Sequence, residues 1–173
     1  ATVTWKPGQS AIAPEPCHPR PHWRQRLDES GIVKRILNLK RLEGDRQRFL
    51  AACVNALTGK SRDAAGPVRY WAVIGIHDYV PEAERGKYLG LLRAAAKDES
   101  FSVRVAAAEA LCDWGEEKEG LPVLLEGLKE RSASAALLAA TALYHLGAKA
   151  RSAAQAVRAA AKAGGYVARM AQH

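Results

Sequence analysis

The chain has 173 residues, with 26 Lys and Arg against 18 Asp and Glu, a formal net charge of +8, and 48% hydrophobic residues. That length suits one compact domain or a short repeat array. With only 2 Phe and no long β-branched run, closely packed Ala-rich helices are expected and a sheet is not. No signal peptide and no apolar run of the ~18 residues that a membrane span requires is present, which excludes a spanning helix.

Taken in chain order, residues 1–22 hold Pro7, Pro14, Pro16, Pro19 and Pro21, enough to forbid a helix and to predict an extended, Pro-rich lead-in. Residues 23–60 read as basic N-terminal helices. Helical spacing begins after Trp23, with Ile32, Ile36, Leu37 and Leu39 on one side, and resumes from Asp45 through Phe49, Leu50, Cys53, Val54 and Leu57. Residues 1–60 carry 11 Lys and Arg against 5 Asp and Glu, whereas residues 61–173 carry 15 against 13. The charge excess therefore sits in the first third. Arg20, Arg24, Arg26, Lys34, Arg35, Lys40 and Arg41 form a candidate surface for an anionic partner, with Trp23 as a stacking group should that partner be nucleic acid. The acidic run Glu116, Glu117 and Glu119 interrupts any basic stripe farther along.

From residue 61 the chain repeats itself. PVRYWAVIGIHDYV from Pro67, SVRVAAAEALCDWG from Ser102 and SAALLAATALYHLG from Ser134 align at offsets of 35 and 32 residues. Val68, Ala72, Ile76 and Tyr79 fall against Val103, Ala107, Leu111 and Trp114, then Ala135, Ala139, Leu143 and Leu146, each set forming one stripe of a helix. A second repeated helix lies between them, in YLGLLRAAAK from Tyr88, LPVLLEGLKE from Leu121 and AAQAVRAAAK from Ala153. Each unit is thus a helical hairpin. Gly115 and Gly147 stand where a left-handed residue ends the longer helix. Pro122 is expected in the first turn of its helix. Trp71 and Trp114 are expected in the core. Because a lone hairpin cannot bury both faces, the units should stack into an all-α, right-handed α-solenoid over residues 61–173.

The pattern D-x-x-x-x-V-R-x-x-A-x-x-A-L, carried by Asp98 and Arg104 and at the same spacing by Asp63 and Arg69, resembles the HEAT repeat. The resemblance implies a polar ladder of these four residues between neighbouring units. It also implies that the ladder stops at the third unit, where Ala136 replaces the Arg and Glu130 or Arg131 stands near the acidic position. More narrowly, PVRYWAVIGI, SFSVRVAAAEALCDWGEEKEGLPVLLEGL, LGAKARSAAQAVRAA and GGYVARMA are similar to the HEAT-like C-terminal region that follows the catalytic domain of some bacterial sulfatases. That family's nucleophile motif, C/S-x-P-x-R, is absent: Cys17-His18-Pro19-Arg20 is followed by Pro21 where Arg is required. The resemblance implies an accessory region with a periplasmic or extracellular location, and a cytoplasmic one otherwise. The start at Ala1, without Met, suggests a processed product, a tag scar or a fragment of something longer.

No catalytic constellation, Walker loop or dinucleotide fingerprint is present. Cys17, Cys53 and Cys112 are too dispersed for a disulfide framework or a metal pair, and Cys53 and Cys112 fall among apolar residues. His18 and His22 flank Cys17 without a fourth ligand, and His77 and His145 stand alone on helices. No catalytic residue, metal or cofactor is expected. The partner expected is a protein or an attached catalytic domain, with nucleic acid as the alternative.

Overall fold

The computed structural model describes residues 31–41, 44–130 and 132–162, and these are helical, with no strand among them. The α-helices are α1 (Ile32–Arg41), α2 (Arg46–Leu57), α3 (Gly66–Tyr79), α4 (Arg85–Ala95), α5 (Phe101–Asp113), α6 (Glu117–Gly127), α7 (Ala133–Leu146) and α8 (Ala154–Lys162). Short 3₁₀ turns occupy Gly59–Ser61, Glu82–Glu84 and Gly147–Ala153. None of the described helices is long and apolar enough to cross a membrane.

Local chemistry accounts for the helix ends. The Asp45 carboxylate accepts from the Arg48 amide at 3.1 Å and so caps the first turn of α2. At the end of α5, Gly115 takes φ +95°, its amide donates to the Cys112 carbonyl at 3.2 Å, and the Glu116 amide reaches back to the Leu111 carbonyl at 2.8 Å. This double bond is a Schellman closure, and it requires the left-handed residue that glycine supplies. Gly147, at φ +51°, ends α7. The start of α6 differs from expectation. The helix begins at Glu117, with Glu117 and Glu119 in its first turn favouring the positive end of the dipole, so Pro122 falls inside it. Pro122 and Lys118 are both exposed, which puts the lost backbone bond on the solvent face, where water can serve the Lys118 carbonyl.

The longer helices α3, α5 and α7 pack in succession, and α1 packs on α3. The others lie beside them, α2 on α3 and α6 on α5 most extensively. The expected stripe is buried at Val68, Ala72, Ile76, Val103, Ala107, Leu111, Ala139, Leu143 and Leu146, while Tyr79, Trp114 and Ala135 are half-buried. Fully buried Ile76, Leu92, Leu111 and Leu124 each contribute about 1.5–3 kcal/mol by leaving water.

The core has two clusters, and α5 belongs to both. Val103, Ala106, Ala107, Ala110 and Leu111 face the cluster built on Phe49, Cys53, Val73, Ile76 and Leu92. Val105, Ala108 and Cys112 face the one built on Leu121, Leu124, Ala139, Ala142 and Leu146. An alanine-rich helix suits this central position, since small side chains let neighbours approach from both sides. The closest approaches fall at glycines: a Cβ on Gly75 would lie 2.6 Å from the Phe49 ring, and one on Gly120 would lie 2.5 Å from Cys112 Sγ. Phe49, Leu50 and Cys53 share a cluster with Val68 and Ala72, so one core runs across residue 60.

Candidate interaction surface and its polar ladder

Arg69 is the only charged residue among the buried ones described, at 1% exposure. All five of its N–H groups are used. Nε and Nη2 grip the two oxygens of Asp98 at 2.9 and 2.7 Å, Nη2 also reaches Glu99 at 2.9 Å, and Nη1 donates to the carbonyls of Asp63 and Ala64 at 2.9 and 3.0 Å. The guanidinium thus ties α3 to the loop before α5 and also to the loop before its own helix. Asp98 is held equally well, because the Ser100 amide donates to it at 2.7 Å and Arg62 adds a bond at 2.9 Å. Burial alone would raise the Asp98 pKa, but the bonds from Arg69, the Ser100 amide and Arg62 outweigh it and hold the carboxyl below its ordinary value.

The same arrangement recurs one step earlier. Arg35 on α1 approaches both oxygens of Asp63, with Nε at 2.8 Å and Nη2 at 3.2 Å, and the Ala65 amide donates to Asp63 at 2.8 Å. One step later, Arg104 on α5 donates through Nη1 to the carbonyls of Asp98 and Glu99 at 2.8 and 3.1 Å, as Arg69 does to Asp63 and Ala64. Its Nη2, however, stands 3.9 Å from Glu130, too far for a hydrogen bond. Asp63, Arg69, Asp98 and Arg104 therefore lie in one register, and each Arg addresses the acidic residue of the next loop. Arg35 and Glu130 extend that register at its two ends. The sequence held the signal for Arg35, which precedes Arg69 by nearly the interval that separates Arg69 from Arg104.

A second row crosses the far ends of the longer helices. Asp113 on α5 faces His77 Nε2 at 3.2 Å on one side and Lys149 Nζ at 2.6 Å on the other, and Lys149 also donates to the Asp113 carbonyl at 2.6 Å. The Lys149 ammonium first, and His77 after it, keep the Asp113 carboxyl below its usual range. Nearby, Glu109 pairs with His145 at 3.1 Å. Burial first, and the Glu109 charge after it, push the Tyr70 phenol up. These contacts join positions 36 residues apart, and nothing in the apolar stripe foretold them.

Trp71 is 39% exposed and Tyr144 67% exposed, the large apolar side chains most open to solvent among those described. Trp71 sits edge-on to Tyr70 at 5.8 Å, which corrects its expected place in the core. Trp114 is half-buried under the Arg85 guanidinium at 5.3 Å. The longer helices thus present aromatic rings, carboxylates and histidines on one side. Two of the candidate anion-facing cations have described side chains. Lys34 is exposed, Arg35 is engaged by Asp63, and Arg20, Arg24, Arg26 and the side chains of Lys40 and Arg41 lie outside the described residues.

Among the described residues no group of His, Cys, Asp and Glu could hold a metal ion. Cys53 and Cys112 are buried thiols, and burial first, then the charges of Glu117 and Glu109, push the Cys112 thiol up to about 12. It is therefore no nucleophile at neutral pH. Comparison with family models finds no match for this chain, and comparison with curated proteins finds none.

Proposed function

We propose that this chain is a non-catalytic, HEAT-like α-solenoid scaffold whose longer helices present a surface to another protein or domain. The observation that carries this reading is the ladder, in which equivalent Arg residues bind acidic residues 28 and 29 positions ahead. Such a repeat of cross-unit bonds suits a stack whose units each contact their neighbours, and one side of the longer helices is open to solvent. That side carries Trp71, Tyr144 and the row from His77 to Lys149, the mixture of aromatic and polar groups from which protein interfaces are built. The sulfatase-linked part of the resemblance assigns no role to a described residue, and the proposal does not depend on it.

The test is isolation of the native protein with its associated partner, followed by rebinding of the purified partner to wild type and to a Trp71→Ala/Tyr144→Ala variant. Loss of binding, at an unchanged melting temperature, is the expected result. Undiminished binding, or a partner released only by salt and replaced by duplex DNA, contradicts the reading.

A further inference from the structure

In two successive rungs the Nε–Nη2 edge of an arginine faces an aspartate: Arg69 holds Asp98 through hydrogen bonds from both nitrogens, and Arg35 holds Asp63 through Nη2 at 3.2 Å with Nε at an ion-pair distance of 2.8 Å from the other oxygen. In the third, the same edge of Arg104 carries no hydrogen bond to a described residue. Its Nη1 is anchored to the Asp98 and Glu99 carbonyls, and the guanidinium lies 5.3 Å from the Phe101 ring centroid, so the open edge is fixed in direction. It lines a groove of about 400 Å³ together with Phe101, Pro122, Val123 and Glu130. Glu130 is a poor occupant for two reasons. It is one methylene longer than the aspartates, and it lacks the backbone donor that locks them two residues on, Ala65 for Asp63 and Ser100 for Asp98. Arginine forks match carboxylates geometrically, and an unfilled fork above an apolar wall is a receptor for one.

From this we infer that the Arg104 groove docks an aspartate from a partner protein, presented on a tight turn that reproduces the Asp98 loop, with Glu130 as a displaceable stand-in. The inference rests on the ladder geometry and does not require the aromatic side to be the scaffold's main interface. An apolar residue beside the aspartate would lie against Phe101 and Val123. The charge of Glu126 is met by Lys129 at 3.1 Å, so Glu130 is the carboxylate that competes.

The probe is a capped peptide copying residues 96–102, Ala-Lys-Asp-Glu-Ser-Phe-Ser, titrated into the whole isotope-labelled chain while the Arg104 Nε–H resonance is followed by NMR. A control peptide carries Asn in place of the Asp. The expected result is a saturable shift with the Asp peptide and none with the Asn peptide. Affinity should rise about threefold in Glu130→Gln, the effect of removing one exposed ion pair. Arg104→Lys, which keeps the charge but loses the fork, should abolish binding while the Arg69 resonance stays in place as a check on folding. No Arg104 shift in either wild type or Glu130→Gln would overturn the inference, as would equal shifts with the Asn peptide or with inorganic phosphate. Either result can occur while partner binding through Trp71 and Tyr144 survives, so the two proposals fail separately.

Discussion

Between α3 and α5 a guanidinium at 1% exposure binds a carboxylate at 6% exposure through two bonds, whereas between α5 and α7 the equivalent groups stand 3.9 Å apart at 29% and 44% exposure. Both surrounding cores mix large and small side chains, with Phe49, Ile76, Leu92 and Ala72 in the first and Leu121, Leu124, Leu143 and Ala139 in the second. The same apolar stripe and the same arginine therefore give a locked junction on one side of α5 and an open one on the other. The difference arises in the loops, where an aspartate held by its own turn has been replaced by an unheld glutamate. A short side chain fixed by a backbone amide is preorganised for the fork, and a longer, freely rotating one must lose rotamer entropy to reach it.

The most severe way to break the comparison is to empty the closed rung. Asp98→Ala leaves Arg69 buried with only Glu99 and two carbonyls, and should cost about 3–5 kcal/mol in urea unfolding. Next comes the close approach on the other side of α5. Gly120→Ala drives a methyl against Cys112 Sγ and the Ala108 carbonyl, for an expected loss of about 1–3 kcal/mol by the same measurement.

Acid provides a smaller and reversible test. The folded state holds the Asp98 carboxyl below its ordinary value, so the unfolded chain takes up this proton first as pH falls. The stabilisation is complete above the ordinary aspartate range, near pH ~4, and is lost as pH drops through the lower folded value. The urea midpoints of wild type and Asp98→Asn should therefore differ most near neutrality and converge in acid. A gap that widened in acid would contradict the assignment. Smallest of all is the effect of Glu130→Gln, expected below about 1 kcal/mol, because an exposed pair beyond hydrogen-bond distance contributes little.

Much of this architecture was legible in the sequence because it obeys a helical period. The stripe from Val68 to Ile76 and its counterparts identified the buried faces, and Gly115 identified a helix end from the conformation that only glycine adopts easily. Periodicity failed where position along a helix did not decide the outcome. Trp71 adjoins Ala72, so it lies about 100° around the helix from the buried stripe, and its size argued for a core that its angle did not reach. Pro122 was read as a helix start because proline is favoured there, yet two glutamates and the Gly115 turn begin α6 a full turn earlier. The ladder residues were visible as types at a fixed spacing. Which Arg meets which Asp was not, because the bond crosses to the following loop. The pairs at 36-residue separation depend on how far adjacent helices slide past each other, and no local pattern encodes that.

The most direct test of the unequal junctions is a pair of double-mutant cycles read by urea unfolding, one on Arg69→Met with Asp98→Asn and one on Arg104→Met with Glu130→Gln. The account predicts a coupling above about 1 kcal/mol for the first pair and below about 0.5 kcal/mol for the second. Equal couplings, or a larger one for Arg104 with Glu130, would show that the third rung is closed in solution, and would contradict the account.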